Sequence, residues 1–472
     1  MIYFITFCVG LLYSFYCLKH WALKGIPDLH LKYPFVSLLY LVHGPSVVTK
    51  SNMIDHYLEM KSKGYKYAGI ATSIRSVLIV KDLKLIRDIL VNNKDHFEDR
   101  GFHYTDRYEP VIQDIVVLDG RKWKQMRSIL NPPVLSKKLK PLFWSILDVT
   151  PYLIEAIDDC ALEKRDINAK ELFACFTTDV ITHHCYKVNC YSYRRSSSRF
   201  CKCQSDRLSS MGLRTAEKSV SSLLYRTIRK YIKYRETGDY KHINIFSLSF
   251  SMQDWSKTQD EPLLLFQIVG KVNLFFYYSF DTSSTTLNFA IYELCRNPDI
   301  QEKARDEIND TLERHDHVIT WKSLRDMKYL DRVIDETLRL YPPAANLVEI
   351  CERKGYKLGD TGINISTLTD IVVPLFSLHR DPEYFADPEK FDPERFDGGK
   401  KDKNPPFYMP YGEGPREYES IQACTMQTKI GLVQILRRFR LSISSKTRLP
   451  LRLNPQAFLK CDDTLYINAE KI

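Results

Sequence analysis

Two charged residues three positions apart in "DETLRLYPP", Glu336 and Arg339, have the types and spacing of an intrahelical ion pair. Residues i and i+3 lie on one face of a helix, so the two side chains can pair and present a fork to a third group. "FDPERF", residues 391–396, supplies Arg395 as that third group. Alone the pattern indicates little, because such pairs are common and weakly stabilising on exposed helices.

A second group of residues has side chains that could bind a transition metal. They are the histidines and cysteines between residues 183 and 203, namely His183, His184, Cys185, Cys190, Cys201 and Cys203. One residue separates the last two cysteines, which is tighter than the two-to-four-residue gap of zinc sites, and no second clean pair exists. Scattered thiols are therefore favoured over a zinc site.

A third stretch, "YGEGPREYESIQACTMQTKIGL" at residues 411–432, resembles a cofactor loop that lacks a metal ligand. It contains Gly412, Gly414 and Arg416, but its first cysteine is Cys424. Glycine allows a loop to turn tightly and to approach a group closely, and arginine can neutralise an anion. The stretch therefore raises the question of which residue would hold the metal.

The elements that must position these residues are mostly helices. "NPDIQEKARDEINDTLERH" has Asn297 as a candidate cap and Pro298 at the first helical position,. Its apolar residues recur one turn apart, at Ile300, Ala304, Ile308 and Leu312,. "SLRDMKYLDRVIDETLRLYPP" predicts a second helix that ends at two prolines, with apolar positions Leu324, Met327, Leu330, Ile334 and Leu338,.

Strands are fewer and shorter. The β-branched runs "SVLIV" at residues 76–80 and "TDIVVPLF" at residues 369–376 are flanked by polar residues and predict strands,. The fold class predicted from these patterns is mainly α with a small β region.

Composition excludes several classes of protein. The 472 residues are 44% hydrophobic and 27% charged, which is ordinary for a globular chain,. The net charge of +10 comes from a scattered excess of lysine and arginine, so no nucleic-acid partner is predicted,. The 12 cysteines are irregularly spaced, unlike the disulfide framework of a small secreted domain, and we expect mostly reduced thiols,.

The N-terminus predicts a transmembrane anchor at residues 1–18. "MIYFITFCVGLLYSFYCL" has 18 residues without a charge and is followed by Lys19 and His20. A helix of that length would be about 27 Å long, close to the roughly 30 Å hydrocarbon core. The stretch lacks a basic n-region and a small-residue cleavage site, which favours a retained anchor over a cleaved signal peptide. The flanking positive charges place the body in the cytosol.

The rest of the chain divides into a linker and one large domain. Residues 19–35 contain Pro27 and Pro34 and predict a stiff linker,. Residues 36–472 are long enough to bury a cofactor.

Taken together, the motifs resemble the cytochrome P-450 superfamily of haem-thiolate monooxygenases. The resemblance rests on the Glu336-x-x-Arg339 helix, the downstream Arg395 loop and the Gly414-x-Arg416 loop, in the family's order. "DGRKWKQMRSIL" is similar to the family's WxxxR helix, with Trp123 and Arg127. "SFDTSSTTLNFAIYELCRNPDIQEKARDEI" resembles the helix that crosses the distal face of the haem. "KYAGI", "HFEDRG" and "MQTKIGLVQILRRFRL" resemble the microsomal insect branch known as family 6.

The resemblance implies a cofactor and roles for specific residues. It implies haem (iron protoporphyrin IX), with propionates that Trp123, Arg127 and Arg416 would neutralise and hydrogen-bond. Asp281 and Thr282 would be the acid and alcohol pair of oxygen activation. The group of Glu336, Arg339 and Arg395 would be structural and would fix the loop beneath the haem.

The resemblance also implies partners and a location. The expected reaction is monooxygenation of small apolar compounds, with NADPH electrons delivered by a cytochrome reductase and a second possible donor in cytochrome b5. The reductase would dock on a basic proximal face. The expected location is the cytosolic side of the endoplasmic reticulum membrane.

The chain departs from the family's pattern at the haem ligand. Tyr418 stands at the cysteine position, Ser420 replaces a glycine, and Tyr411 replaces the leading phenylalanine. In the distal helix, Tyr278 and Ser279 replace a small pair. Without a thiolate, the electron donation that favours O–O cleavage is lost.

Several explanations of this departure remain open. Cys424 is six residues too late, about 9 Å along a helix, and Tyr418 could ligate only as a phenolate. A compensated shift of reading frame would also leave a short mismatched block between matched flanks. The alternative function is a catalytically inactive homologue, either haem-free or a non-thiolate haem binder.

Overall fold

The computed structural model describes most of the body of the chain. The described residues are 21–29, 53–71, 76–97, 120, 123–124, 127, 132–186, 192–193, 282–398, 408–414, 421–455 and 459–472. The predicted anchor at residues 1–18 lies outside them, and so do Tyr278, Ser279, Asp281, Arg416, Tyr418 and Ser420. Among the described residues, no helix is both long and apolar enough to cross a bilayer.

The architecture is mainly helical with a small β region, as the sequence predicted. The described α-helices are α1 Met53–Ser62, α2 Leu83–Arg87, α3 Pro132–Leu162, α4 Ala169–Tyr186, α5 282–296, α6 Pro298–Glu313, α7 Trp321–Asp326, α8 Lys328–Leu340, α9 Leu375–Leu378 and α10 Ile421–Leu436. Short 3-10 turns occupy Ala22–Lys24, Lys94–His96, Gly359–Thr361 and Pro393–Phe396, and a π-turn at Asp88–Asn92 extends α2.

Within the described ranges, nine short strands form three small sheets. They are β1 Tyr67–Ala71, β2 Ser76–Val80, β3 Ile167–Asn168, β4 Leu347–Cys351, β5 Thr369–Val373, β6 Phe439–Ile443, β7 Leu453–Pro455, β8 Leu459–Cys461 and β9 Tyr466–Lys471. The largest sheet has the order β1-β2-β5-β4, in which only β2 and β5 run parallel. The others are β3-β9-β6 and the hairpin β7-β8.

The helix α6 begins where the sequence predicted, but its cap differs from the expectation. Asn297 occupies the N-cap position and Pro298 the first helical position, yet the Asn297 side chain accepts no capping hydrogen bond. Its amide instead donates back to the carbonyl of Glu293 at 2.9 Å. Asn297 therefore occupies the predicted cap position, but its side chain fastens α6 to the end of α5 instead of capping α6.

The second predicted helix is two helices, because the chain breaks at Met327. That residue has φ −80° and ψ 82°, which is not helical, and it separates α7 from α8. A carboxylate from α6 caps the new helix: Glu307 accepts from the amides of Tyr329 at 2.6 Å and Leu330 at 2.8 Å. The cap comes from Glu307, which lies on another helix. The apolar residues repeat without interruption across Met327, so the sequence pattern gave no sign of the break.

The strand predicted at residues 369–376 ends earlier, at Val373. Pro374 has φ −82° and ψ 77° and lacks the amide hydrogen that a strand would use, and α9 follows directly,. The other predicted strand, Ser76–Val80, has the predicted bounds.

The main hydrophobic core lies between the helices, and a second core lies under the largest sheet. Leu287 of α5, Leu338 of α8 and Ile430 of α10 all belong to the helical core. The second core joins the sheet to α2 and also contains Trp21 and Met409. Met409, at the start of the candidate cofactor loop, is therefore packed in this second core.

Candidate cofactor site

The side chains of Glu336 and Arg339 form a buried bidentate ion pair on α8. Arg339 Nε donates to Glu336 Oε2 at 2.7 Å, and Arg339 Nη2 donates to Glu336 Oε1 at 2.9 Å. Both side chains have 0% exposure. Two parallel N–H···O bonds give the strongest geometry available to this pair, and burial removes the screening that weakens such pairs at a surface.

Glu336 also holds the loop that carries Arg395. Its Oε1 accepts from the amide of Asp392 at 2.9 Å and from Arg395 Nε at 3.3 Å. Arg395 itself donates to the carbonyl of Asp387 at 2.7 Å. The structure therefore brings together the three charged residues that the sequence singled out, and their shared carboxylate anchors the loop from Asp387 to Arg395.

His379 connects this group to the start of the candidate cofactor loop. Arg339 Nη1 donates to the carbonyl of His379 at 2.8 Å, and the amide of Met409 donates to His379 Nε2 at 3.4 Å. His379 is fully buried, and that burial, together with the positive charge of Arg339, lowers the pKa of its imidazole to about 3,. A neutral ring with its proton on Nδ1 can accept the Met409 hydrogen bond. Sequence reasoning missed His379, because no local pattern marks it.

The described part of the loop needs glycine at two positions. Gly412 has φ +83° and Gly414 has φ +86°, in the left-handed region that favours glycine,. A Cβ at Gly414 would lie 2.1 Å from the carbonyl oxygen of Leu90 in the π-turn after α2. The loop therefore passes directly against the backbone of another element and leaves no room for a side chain at residue 414.

Tyr408 and Tyr411 fix the beginning of the loop against α8 and α10. Tyr408 Oη donates at 3.0 Å to both the carbonyl and the carboxylate of Asp335, which precedes Glu336. Burial raises the pKa of Tyr411 well above its ordinary value, and the neighbouring Cys424 and Asp335 act in the same direction. Burial also raises the pKa of Tyr408 well above its ordinary value, so both phenols stay protonated.

Cys424 lies in α10, which begins at Ile421. Its side chain is 1% exposed. A thiol fixed in a helix and covered by its neighbours is badly placed to replace a ligand six residues earlier in the chain. The sequence of residues 408–420 contains no cysteine, and Tyr418 remains the residue at the expected ligand position.

The two predicted propionate ligands that the structure describes occupy helical positions. Residues 123 and 127 are both helical, so Trp123 and Arg127 lie one turn apart,. Trp123 is 5% exposed, and Arg127 is half-buried. A tryptophan indole and a guanidinium on one partly buried helix face could serve an anion.

The distal candidate Thr282 is the first described residue of α5. Thr286 Oγ1 donates to the carbonyl of Thr282 at 2.8 Å, and Ser283 and Thr286 are buried. Its proposed partner Asp281 lies outside the described residues. The structure thus places Thr282 at the polar start of an otherwise apolar helix.

The histidines of the possible zinc cluster have other partners. His183 Nε2 lies 3.2 Å from Asp148 Oδ2, and His184 Nδ1 lies 3.1 Å from Ser145 Oγ. Cys190, Cys201 and Cys203 lie outside the described residues. Across the part of the chain that the structure describes, no three histidine, cysteine or acidic side chains come together as a metal site.

Glu336, Arg339 and His379 form a frame that can hold the loop of a haem site. The loop has no cysteine to supply a thiolate at the expected position. Gly412 and Gly414 have left-handed backbone conformations, and the amide of Met409 donates a hydrogen bond to His379. Together they fix the path of the loop and tie its start to the buried His379. Tyr418 stands at the expected ligand position in the sequence, and the nearest following thiol, Cys424, is buried in α10. The hydrogen bonds that hold the start of the loop are therefore present, and the sequence has no cysteine at the expected ligand position.

Comparison with known proteins agrees with the motifs. A family model described as "Cytochrome P450" matches residues 33–212 and 210–469. The chain is 33% identical to "Probable cytochrome P450 6a13" of Drosophila melanogaster, over 84% of this chain and 83% of that protein. It is 29% identical to "Cytochrome P450 6a2" of the same species, over 96% of both, and 29% identical to "Cytochrome P450 9e2" of Blattella germanica, over 96% and 94%.

The match to the family model extends over most of the body that contains α1 to α10. Within it, α5, the ion-pair group and the glycine loop follow one another in the order that the motifs required. The family's members are haem monooxygenases, and this chain belongs to the cytochrome P450 family.

Proposed function

We propose that this chain is a monooxygenase of small apolar compounds, using O2 and electrons that a NADPH-dependent cytochrome reductase supplies. Family membership supports the reaction class. The observation that carries the proposal is the frame beneath the loop: Glu336, Arg339 and His379 join α8 to the loop backbone at Met409. A frame of buried charged groups is costly, which is consistent with a loop that must be held in one position.

Haem, when bound, would supply the oxidising chemistry of such an enzyme. The residues of this chain that would hold it are Trp123, Arg127 and Arg416, which suit its two propionates. Thr282 and Asp281 would hold and move protons on the distal side. Tyr418 would stand at the expected position of the iron ligand.

We also propose a location and partners. The uncharged residues 1–18 suit a single anchor in the endoplasmic reticulum membrane, with the body on the cytosolic side,. The net charge of +10 suits docking of an acidic partner, such as the reductase or cytochrome b5,. A basic protein without a concentrated stripe does not suit nucleic acid.

A second candidate function is a catalytically inactive homologue, and one observation favours it specifically. The thiolate position is Tyr418, and the only cysteine shortly after it, Cys424, is part of α10 and 1% exposed. Tyr278 and Ser420 in place of smaller residues favour the same candidate. Such a protein would be a haem-free scaffold or a haem binder with a non-thiolate ligand.

One experiment separates the two candidates. The full-length protein is expressed, its haem-to-protein ratio is measured, and the difference spectrum of the reduced, carbon-monoxide-bound form is recorded. A thiolate-type Soret band supports the monooxygenase, because it requires a cysteine at the iron. Haem without that band, or no haem, contradicts the monooxygenase and supports the second candidate.

A further inference from the structure

Tyr341, at the C-terminal end of α8, connects that helix to α5. Its Oη donates to Glu293 Oε1 at 2.5 Å, and Glu293 is 2% exposed. Its ring stacks on that of Phe289, with 4.2 Å between the ring centroids and an angle of 4° between the ring planes. We call this arrangement the Tyr341 bridge. It joins α5 to the helix that carries Glu336 and Arg339.

Both carboxylate oxygens of Glu293 have partners, so the bridge has a fixed acceptor. Oε1 also lies 3.3 Å from Arg296 Nη1, and Oε2 accepts from Asn297 Nδ2 at 3.3 Å. Burial raises the pKa of Tyr341 well above its ordinary value, and the neighbouring Glu293 acts in the same direction,. The phenol therefore stays protonated and remains the donor.

Arg380 attaches Tyr341 to the segment that holds the start of the cofactor loop. Its guanidinium carbon lies 5.5 Å from the centroid of the Tyr341 ring, and its Nη1 donates to the carbonyl of Leu340. The residue before it is His379, whose Nε2 accepts from the amide of Met409. The Tyr341 bridge therefore links α5 to the frame beneath the loop.

The face of α5 that Tyr341 contacts is also the face that carries Thr282. Phe289, Tyr292 and Glu293 are spaced as i, i+3 and i+4, so they share one face of the helix,. All three approach Tyr341, and the ring of Tyr292 is the farthest, at 6.4 Å between the ring centroids. Thr282 precedes Phe289 by about two turns, or about 11 Å, and lies within about 20° of it around the helix axis.

A rotation of α5 about its axis would therefore move the hydroxyl of Thr282. The Cα atoms of a helix lie about 2.3 Å from its axis and side-chain oxygens lie farther out, so a turn of about 20° moves such an oxygen by roughly 1 Å. A displacement of that size near the reacting atoms can slow a reaction by about 100-fold. The hydrogen bond and the ring stack at Tyr341 both act on one side of the axis, so together they oppose the rotation.

We infer that Tyr341 is a positioning residue, which fixes the rotation of α5 through Glu293 and Phe289 and so places the hydroxyl of Thr282 on the distal side of the haem site. Tyr341 acts through the helix and takes no part in proton transfer. This inference rests on the role of Thr282 in the proposed function.

The test measures the C–O stretching band of the reduced, carbon-monoxide-bound protein by infrared spectroscopy. A hydroxyl that donates to the carbon monoxide oxygen draws electron density onto that ligand and lowers the frequency, so Thr282→Ala should raise it. Tyr341→Phe removes the hydrogen bond to Glu293 while it keeps the ring, and it should shift the band in the same direction. Added to Thr282→Ala, it should cause no further shift, because both changes act through one hydroxyl.

Two further variants serve as controls. Tyr57→Phe removes a phenol–carboxylate hydrogen bond of the same length, 2.5 Å to Asp381 Oδ2, from a residue of α1, and it should leave the band unchanged. Glu293→Gln keeps an oxygen that can accept from Tyr341, so its band should stay close to that of the unaltered chain. A band shift in Tyr341→Phe without one in Tyr57→Phe distinguishes positioning from a general loss of stability.

The outcomes separate this inference from the proposed function. A protein that forms no carbon monoxide complex would contradict the haem site, and the positioning role with it. An unchanged band in Thr282→Ala would contradict the role of Thr282, on which the inference rests. If Thr282→Ala shifts the band, the positioning role alone is contradicted by an unchanged band in Tyr341→Phe, by an equal shift in Tyr57→Phe, or by a shift that persists when Thr282 is alanine.

Discussion

The amide of Met409 donates a hydrogen bond to Nε2 of His379 at 3.4 Å, inside the protein. The carbonyl of the same histidine accepts from Arg339, which pairs with Glu336. The backbone that leads into the cofactor loop is thus tied to the buried ion pair through a single residue. Disturbing either end should loosen the loop.

The first prediction concerns the buried ion pair. Glu336→Gln should lower the free energy of unfolding by about 3–5 kcal/mol, because it leaves the Arg339 charge uncompensated. The matched control is Glu394→Gln, whose side chain is 44% exposed and pairs with Lys303, 58% exposed, and with Arg332, 25% exposed. That change should cost no more than about 1 kcal/mol. Chemical denaturation of both variants measures the difference, and equal losses would contradict a special contribution from Glu336.

The second prediction concerns acid. The folded pKa of His379, about 3, lies below its ordinary value of 6.5, so the unfolded chain binds a proton that the folded chain does not,. The stabilising contribution is complete above pH 6.5 and is lost as the pH falls from there toward 3. At pH 5.5 the loss from this group should be about 1.4 kcal/mol.

His379→Gln should remove this part of the pH dependence, while its amide oxygen, which can reach the position of Nε2, can still accept from Met409. The control is His317→Asn, at an exposed left-handed position with φ +58° where asparagine is tolerated,. Unfolding free energies at pH 7.5 and 5.5 make the comparison. An unchanged pH dependence in His379→Gln would show that His379 is not the titrating group.

The sequence predicted contacts between residues that are close along the chain, but it did not predict contacts between residues that are far apart along it. Glu336 and Arg339 are three residues apart on one helix, so their spacing alone predicted the pair that the structure contains. His379 and Met409, which are in contact, are 30 residues apart in the sequence, and no periodic pattern predicts their hydrogen bond. The break at Met327 was hidden for the same reason, since Glu307, which caps α8, lies on another helix.

The third prediction concerns the glycines of the loop. Gly414→Ala combines a left-handed backbone with a clash, because its Cβ would lie 2.1 Å from the Leu90 carbonyl oxygen. Gly355 has a similar φ of +89° and nothing within 4 Å of its Cβ position, so Gly355→Ala isolates the backbone cost. We expect about 1–2 kcal/mol for Gly355→Ala and a further 1–3 kcal/mol for Gly414→Ala. Thermal unfolding measures both, and equal costs would contradict the close approach to Leu90.

The last prediction concerns the ligand of the iron. If the frame beneath the loop is intact, restoring the family's residues should be enough to restore thiolate ligation. Tyr418→Cys combined with Ser420→Gly should produce a thiolate-type Soret band in the reduced, carbon-monoxide-bound spectrum, because it supplies both the sulfur and the glycine that lets the loop approach the haem. Cys424→Ala should leave the spectrum of the unaltered chain unchanged, since Cys424 is buried in α10.

The two variants together distinguish a defect at residues 418 and 420 of the loop from a defect elsewhere in the protein. A double variant that binds haem without the band would place the defect outside residues 418 and 420. A band in the unaltered chain that disappears in Cys424→Ala would mean that α10 unwinds to bring its thiol to the iron. A band gained only in the double variant would locate the departure from the family in two side chains, on a frame in which Glu336, Arg339 and His379 still hold the loop.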